Sequence, residues 1–404
     1  MPAFFYTKNA YDTGGTRLVG LQAANRHFPD ALLRDEAVDD VGCYVAEPRT
    51  FEEFSVAITP VKPATKTITH IPFGDHAALG RAGTLHKPDP TIAPLLWQRR
   101  SADQRLYSVV GIIHSISALH IMESIGDVVV VPFQPWDALI CTSQAGKDAL
   151  TTMLGNWAEY LAQRFNATPQ LNITLPLIPL GIDCDVFDAE SAASDARTRV
   201  RAELGIGESD VAVLFVGRLT YRRKTHPVPM YLALQKAQEA TGARLHFIQA
   251  GQFEDPDEEA LFQQAAEQFA PNVRTLVVGG RELFRDHGVW SAGDIFLSLS
   301  DNIQETFGLS PVEAMAAGLP VVVSDWDGYR DTVRDGVDGF RIPTRMPPAP
   351  NGLSIAEHYH LHGNFRHYYG TVAMNTAVDL DACAGAWVQA GASGRATPMT
   401  GARS

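Results

Sequence analysis

The sequence predicts an α/β protein of two domains, each built on a parallel sheet, and three observations carry that prediction. Its 404 residues exceed one ordinary domain and suit two of about 150–200 residues each. Short β-branched apolar runs alternate with helical stretches along the chain, as strands joined by crossover helices do. Between the halves, Leu175-Pro176-Leu177-Ile178-Pro179-Leu180-Gly181-Ile182-Asp183 and the polar stretch from Glu190 to Arg201 read as a crossover linker.

In chain order, Asp12-Thr13-Gly14-Gly15-Thr16 precedes a helical stretch with Leu18, Leu21, Ala24 and Phe28 on one face. Ser108 to Ile113 and Ala138 to Cys141 read as buried strands of the first half. Val211 to Val216, Leu245 to Ile248, Thr275 to Val278, Asp294 to Leu297 and Pro320 to Ser324 do so in the second. The apolar runs at Asp127 to Val131 and Leu319 to Val323 are of strand length, far short of a membrane span. These readings place an N-terminal domain at 1–185, a second domain at 186–345, and a loop and short tail at 346–404. Met346 to Gly352 is a loop by composition, and the Gly-, Ala-, Ser- and Thr-rich stretch after Ala390 is expected to be disordered. No repeat at a solenoid period is present.

Composition narrows the function. Hydrophobic residues at 45% and charged residues at 20% are ordinary for a globular chain. A net charge of −13 argues against a protein that coats nucleic acid or binds anionic membrane broadly, though it leaves room for a local basic pocket. Met1 to Tyr11 has no basic segment leading into an apolar one, so no signal peptide is read. The four cysteines, Cys43, Cys141, Cys184 and Cys383, lie far apart without CxxC spacing, which fits reduced thiols and a cytoplasmic location.

Three segments carry candidate chemistry. Gly14-Gly15 before a helix would let the backbone approach a phosphate, and a plain tight turn explains the same pair. The strand ending at Val216 runs into Gly217-Arg218-Leu219-Thr220-Tyr221-Arg222-Arg223-Lys224. Ligands of parallel sheets bind at carboxyl strand ends, so Arg218 and Lys224 are placed to converge on one diphosphate. A solvated basic loop is the alternative for them, and Arg222 and Arg223 are read as surface.

The third segment, Glu305-Thr306-Phe307-Gly308-Leu309-Ser310-Pro311-Val312-Glu313, is the most informative. Ser310 reads as an N-cap, Pro311 as the first helical residue and Glu313 as the third position of a capping box. Gly318 and Pro320 end the helix. The backbone N–H groups from Thr306 to Leu309 form an anion seat at the positive helix end. Glu305 beside that seat suits a carboxylate gripping ligand hydroxyls, whereas a cap alone would explain Glu313.

This last stretch resembles the E-x7-E motif of retaining GT-B glycosyltransferases of family 4. The resemblance continues through Gly318-Leu319-Pro320-Val321-Val322-Val323-Ser324-Asp325 and Asp335-Gly336-Val337-Asp338-Gly339-Phe340. Arg218 and Lys224, the Gly14-Gly15 loop, and Ile178 to Asp183 resemble the family's basic pair, glycine loop and interdomain segment. It covers roughly residues 5–345, in order.

The resemblance implies the GT-B fold, two Rossmann-like domains whose parallel sheets face a central cleft. It also implies an EC 2.4 enzyme moving a sugar, with retention and without metal or cofactor, from a nucleotide-diphosphate sugar to a glycan, lipid or small-molecule acceptor. Glu305 then contacts the donor sugar and Glu313 the ribose; Phe307, Gly308, Leu309 and Ser310 seat the sugar-diphosphate, and Arg218 and Lys224 neutralise it. His114, after the strand ending at Ile113, resembles the family's active-site histidine; a satisfied polar residue at a strand end is the alternative. Neither a nucleic-acid partner nor a transmembrane segment is implied; peripheral membrane contact stays open.

Two departures stand out. The chain closes soon after Asp379-Leu380-Asp381, where the family continues into helices that pack back on the N-domain. Thr225-His226-Pro227 stands where the family commonly has a glycine after the lysine.

Asp183-Cys184-Asp185 has the DxD spacing of metal-dependent enzymes of another fold, but lies in the linker and is read as chance. Trp136-Asp137 and Trp326-Asp327 read as packing and turn residues. The rival readings are a nucleotide-sugar epimerase, a phosphorylase with pyridoxal phosphate on Lys224 or Lys236, and a weakly active or inactive nucleotide-sugar-binding subunit.

Overall fold

The computed structural model describes residues 1–11, 20–59, 62–63, 65–191, 195–279, 288–303, 305–348 and 352–392. The chain forms two compact units, Met1–Gly181 and Ile182–Ser404.

In the first unit, β1 (Ala3–Phe5), β2 (Asp40–Val45), β3 (Thr67–Pro72), β4 (Thr84–His86), β5 (Ser108–Ile113) and β6 (Ala138–Cys141) form one sheet in the order β3-β2-β1-β4-β5-β6. In the second, β7 (Val211–Val216), β8 (Leu245–Ala250), β9 (Arg274–Val278), β10 (Ile295–Ser298), β11 (Val321–Ser324) and β12 (Gly339–Ile342) form another in the order β12-β11-β10-β7-β8-β9. Every pairing in both sheets is parallel. Read from β9, the second order is the first repeated: both are the doubly wound Rossmann arrangement, with the winding reversed between β1 and β4 and between β7 and β10. The expectation of two parallel α/β sheets therefore holds.

Side chains alternate across each sheet, so each strand feeds two cores. Along β7, Val213 and Phe215 join one cluster with Tyr231 and Phe247, while Ala212, Leu214 and Val216 join the other with Phe296 and Tyr329. Fully burying one such side chain stabilises the fold by about 1.5–3 kcal/mol.

The linker prolines take a side here. Leu139 N–H donates to Thr174 O (3.0 Å), Cys141 N–H to Pro176 O (2.9 Å) and Ile178 N–H to Cys141 O (2.9 Å), so 174–178 runs along the edge of β6. Proline suits an edge, where its missing N–H faces no partner. Asp137 is no mere turn residue: wholly buried, its carboxylate accepts from Arg99 Nη1 (2.5 Å) and Nη2 (2.6 Å) and from the N–H groups of Val109 and Gln134 (2.8 Å each).

Several expectations need correction. Val128 to Val131, an apolar run of strand length, closes the helix Leu119–Asp127, with Val130 and Val131 N–H both donating to Asp127 O. Phe28 does not sit buried beside Ala24; it is half exposed and packs edge-on against Phe4, 5.8 Å between centroids. Of the stretch expected to be disordered, 393–404 lies outside the described residues. The helix Leu380–Ala392 runs two residues past Ala390, because Cys383, Ala386 and Trp387 reach the core against the helix Val228–Thr241. Lys236 closes that contact on Asp381 at 2.8 Å. Among the described residues no helix is long and apolar enough to cross a membrane. All four cysteines are free thiols, with only Cys184 exposed.

Candidate functional site

The winding of the second sheet reverses between β7 and β10, and a crevice opens beyond the carboxyl ends of such a pair. Both strands run into the segments singled out by sequence. β7 leads to Gly217, where the backbone is crowded: a Cβ on Gly251, after β8, would lie 1.8 Å from Gly217 O. A Cβ on Gly217 itself would lie 3.3 Å from Phe215 Cζ and 3.4 Å from Lys224 Cε. The two glycines thus let the β7 and β8 loops pass close together, with Lys224 folded back beside the strand end.

β10 leads through buried Leu299, Ser300, Asp301 and Asn302 to Glu305, and there the two strand ends meet. Lys224 Nζ donates to Glu305 Oε2 in a mostly buried ion pair. Arg218 does not share this carboxylate: Nη1 donates to Glu254 Oε1 at 3.2 Å. Burial holds its guanidinium below its ordinary range, while the Glu254 and Glu305 charges pull it back up. Arg223, read as surface, donates to the other Glu254 oxygen. Glu254 therefore joins two cations, a role that sequence gave no sign of. Arg222 lies over the Tyr221 ring, 5.0 Å from its centroid.

The loop Thr225-His226-Pro227 has a definite course. Lys224 and Thr225 N–H groups both reach Thr220 O (3.2 and 3.3 Å), and His226 N–H donates to Asp301 Oδ2 at 3.1 Å. Burial pushes the Asp301 carboxyl up to about 7.

Beyond Glu305 the chain turns into the helix Leu309–Ala316, whose N-cap is Gly308 at φ +86°, not Ser310. Ser310 is already helical, so Glu313 completes no capping box and its structural explanation falls away. The glycine is required sterically as well: a Cβ at 308 would lie 2.1 Å from Tyr329 Cε1. Opposite, a Cβ on Gly328 would meet Phe307 N at 2.5 Å, and Gly328 N–H donates to Glu305 O at 2.9 Å. Phe307 is buried, and Tyr329 and Gly328 clamp the loop. The N–H groups of the first helical turn have no partners within the helix and carry its positive end.

Two further carboxyls belong to this neighbourhood. Burial pushes Glu313 up to about 7, against the pull of Lys224. Asp327, at φ +42°, is raised well above the carboxylate range by burial and then by the Glu305 charge. Nothing in the motif spacing pointed to Asp327.

His114 lies in the other unit, just past β5. Its Nε2 is 2.8 Å from Asn25 Oδ1, and burial pushes the imidazole down to about 4. His86, at the end of β4, is pushed down to about 3, by burial and then by His114; the Asp89 charge opposes both shifts. Asp89 accepts from Lys87 Nζ and from Thr91. The signal that could have found this cluster is His86-Lys87-Pro88-Asp89-Pro90 following a strand. Gly14 and Gly15 lie outside the described residues. In Asp183-Cys184-Asp185, Asp183 Oδ1 accepts the Asp185 N–H at 3.2 Å, a local turn at the start of the helix Cys184–Ser191.

Residues 196–349 match the family model of glycosyl transferases group 1. A D-inositol 3-phosphate glycosyltransferase of Geodermatophilus obscurus is 29% identical over 267 residues, covering 63% of this chain and 57% of that protein. A phosphatidyl-myo-inositol mannosyltransferase of Mycobacterium tuberculosis is 31% identical over 180 residues, 45% of this chain and 42% of that one. The chain thus spans about half the length of these curated relatives. Among solved structures, an Anabaena protein, HepE, in complex with UDP aligns over 97% of this chain and 100% of its own, with a TM-score of 0.57 at 16% identity. That likeness places the two sheets in the GT-B fold class.

Proposed function

We propose that this chain is a retaining glycosyltransferase of family 4, moving a sugar from a nucleotide-diphosphate sugar to a glycan, lipid or small-molecule acceptor without a divalent metal. The observation that carries the reading is the Lys224–Glu305 pair at the point where the winding of the second sheet reverses, beside the helix start at Gly308–Leu309. The group 1 match over 196–349 spans that whole constellation, and the Anabaena neighbour, solved with UDP, has the same fold.

As the donor bond breaks, negative charge grows on the departing diphosphate. Lys224, Arg218 and the amides of Phe307 to Ser310 are placed to receive it once the donor displaces the Glu305 and Glu254 carboxylates that hold the two cations. When a diphosphate draws Lys224 away, Glu305 is released to accept hydroxyls of the donor sugar. Glu313, with its carboxyl near neutrality and no cap to complete, is suited to the paired hydroxyls of a ribose. Front-face displacement with retention is favoured on the family resemblance. Gly14 and Gly15 are assigned to the diphosphate and His114 to the sugar, on the family resemblance. Lys236, engaged with Asp381 at the surface, offers nothing to a phosphorylase reading.

The test is sugar transfer by purified protein with a panel of nucleotide sugars, chosen by thermal shift against nucleoside diphosphates. Lys224→Ala and Arg218→Ala are each expected to lower kcat by about 100-fold or more. Wild-type rates in both variants would sink the assignment.

A further inference from the structure

We propose that Asp301 is the positioning residue that sets Lys224 against Glu305; this rests on the reading of that pair given above. Asp301 is 3% exposed and lies just past β10, on the segment leading to Glu305. Its Oδ2 accepts the His226 N–H at 3.1 Å, and its backbone O accepts from Thr376 Oγ1 at 3.3 Å. One residue thus joins the Lys224 loop, the Glu305 segment and the C-terminal turn after Ala373.

The location of the tether follows from the sequence of the loop. Pro227 has no N–H, and the helix Val228–Thr241 begins directly after it, so His226 supplies the last donor before the chain enters that helix. Thr220 O already receives Lys224 and Thr225. Without Asp301, the backbone of the Lys224 loop keeps the bonds of Lys224 and Thr225 to Thr220 O, and its side chains keep their pairs with Glu254, Glu258 and Glu305. With Asp301, it is fixed to the strand that delivers Glu305. The other carboxylate oxygen, Oδ1, is buried without a partner among the described residues. That is an unfavourable arrangement for a group serving only to fill space.

Asp301→Ala removes the acceptor and is expected to lower kcat about 10- to 100-fold through misplacement of Lys224. Asp301→Asn keeps an oxygen for the His226 N–H and is expected to stay within about three-fold of wild type. In a Lys224→Ala background, the further loss from Asp301→Ala should shrink below about two-fold, because both changes remove one interaction. A readout free of turnover accompanies this: exchange of the His226 amide hydrogen should speed up about 10-fold or more in Asp301→Ala. Asp301→Leu fills the buried space without an acceptor and replaces the alanine variant if that does not fold.

Multiplying losses in the double variant, or unchanged His226 exchange, would overturn the positioning role. A Lys224→Ala protein with wild-type kcat would instead overturn the reading of the pair, while faster His226 exchange would still carry the tether.

Discussion

Glu313 is where a side chain's structural and chemical explanations can be separated. With the N-cap at Gly308, its carboxyl serves no cap, and burial pushes it up to about 7. A carboxyl raised in the folded state binds its proton more tightly there than when unfolded. Its contribution to stability is therefore full below the ordinary range near 4.5 and is lost as pH rises through about 7. Glu313→Gln removes that dependence. Thermal melts should show it about 3 °C or more above wild type at pH 8, and level with wild type at pH 4. The same variant should bind nucleoside diphosphate more weakly, read by titration calorimetry at pH 8; equal affinity would remove Glu313 from the ribose. Glu305 and Lys224 were legible by spacing, since a motif places each at a strand end. Asp301, Glu254 and Asp327 were not, because their importance lies in what they face across the sheet, and one-dimensional periodicity carries no such information.

The element that shapes the site is the turn into Leu309–Ala316. Ser-Pro-x-Glu is a helix-start signature, and here it misplaces the start, because Tyr329 and Gly328 pack so closely on the loop that the cap falls to Gly308. Gly308→Ala meets both an unfavourable φ of +86° and the Tyr329 ring. The expected effect is a loss of about 1–3 kcal/mol in chemical denaturation, with donor binding impaired beyond the loss in stability. Tyr329→Leu should relieve part of the stability loss in the double variant; no relief would mean that backbone conformation alone sets the requirement. Strand elements were the most legible part of the fold: β5, β6 and β7 lie where their apolar runs predict. The valine run at 128–131 shows that length and composition alone do not separate a helix end from a strand over so few residues.

At the scale of the molecule, one strand order serves twice, and the second copy carries the constellation that the group 1 model covers. Parallel α/β architecture was legible from alternation. The winding of the strands was not, since it depends on which strands pair. Metal-free transfer belongs to the proposed reading, in which Arg218, Lys224 and the helix start meet the charge of the departing diphosphate. Transfer after exhaustive chelation is accordingly expected to stay within about three-fold of the untreated rate; complete loss restored by Mn²⁺ would reverse that part of the account. The most direct test of the central claim is proton NMR of the product formed from an α-linked nucleotide sugar of gluco or galacto configuration that shifts the melting temperature, or the one-bond anomeric C–H coupling where the sugar is manno-configured. The account predicts transfer to acceptor with the anomeric coupling of an α-glycoside. A β-linked product would contradict the retaining displacement, and binding without any transfer across the acceptor panel would contradict the enzyme itself.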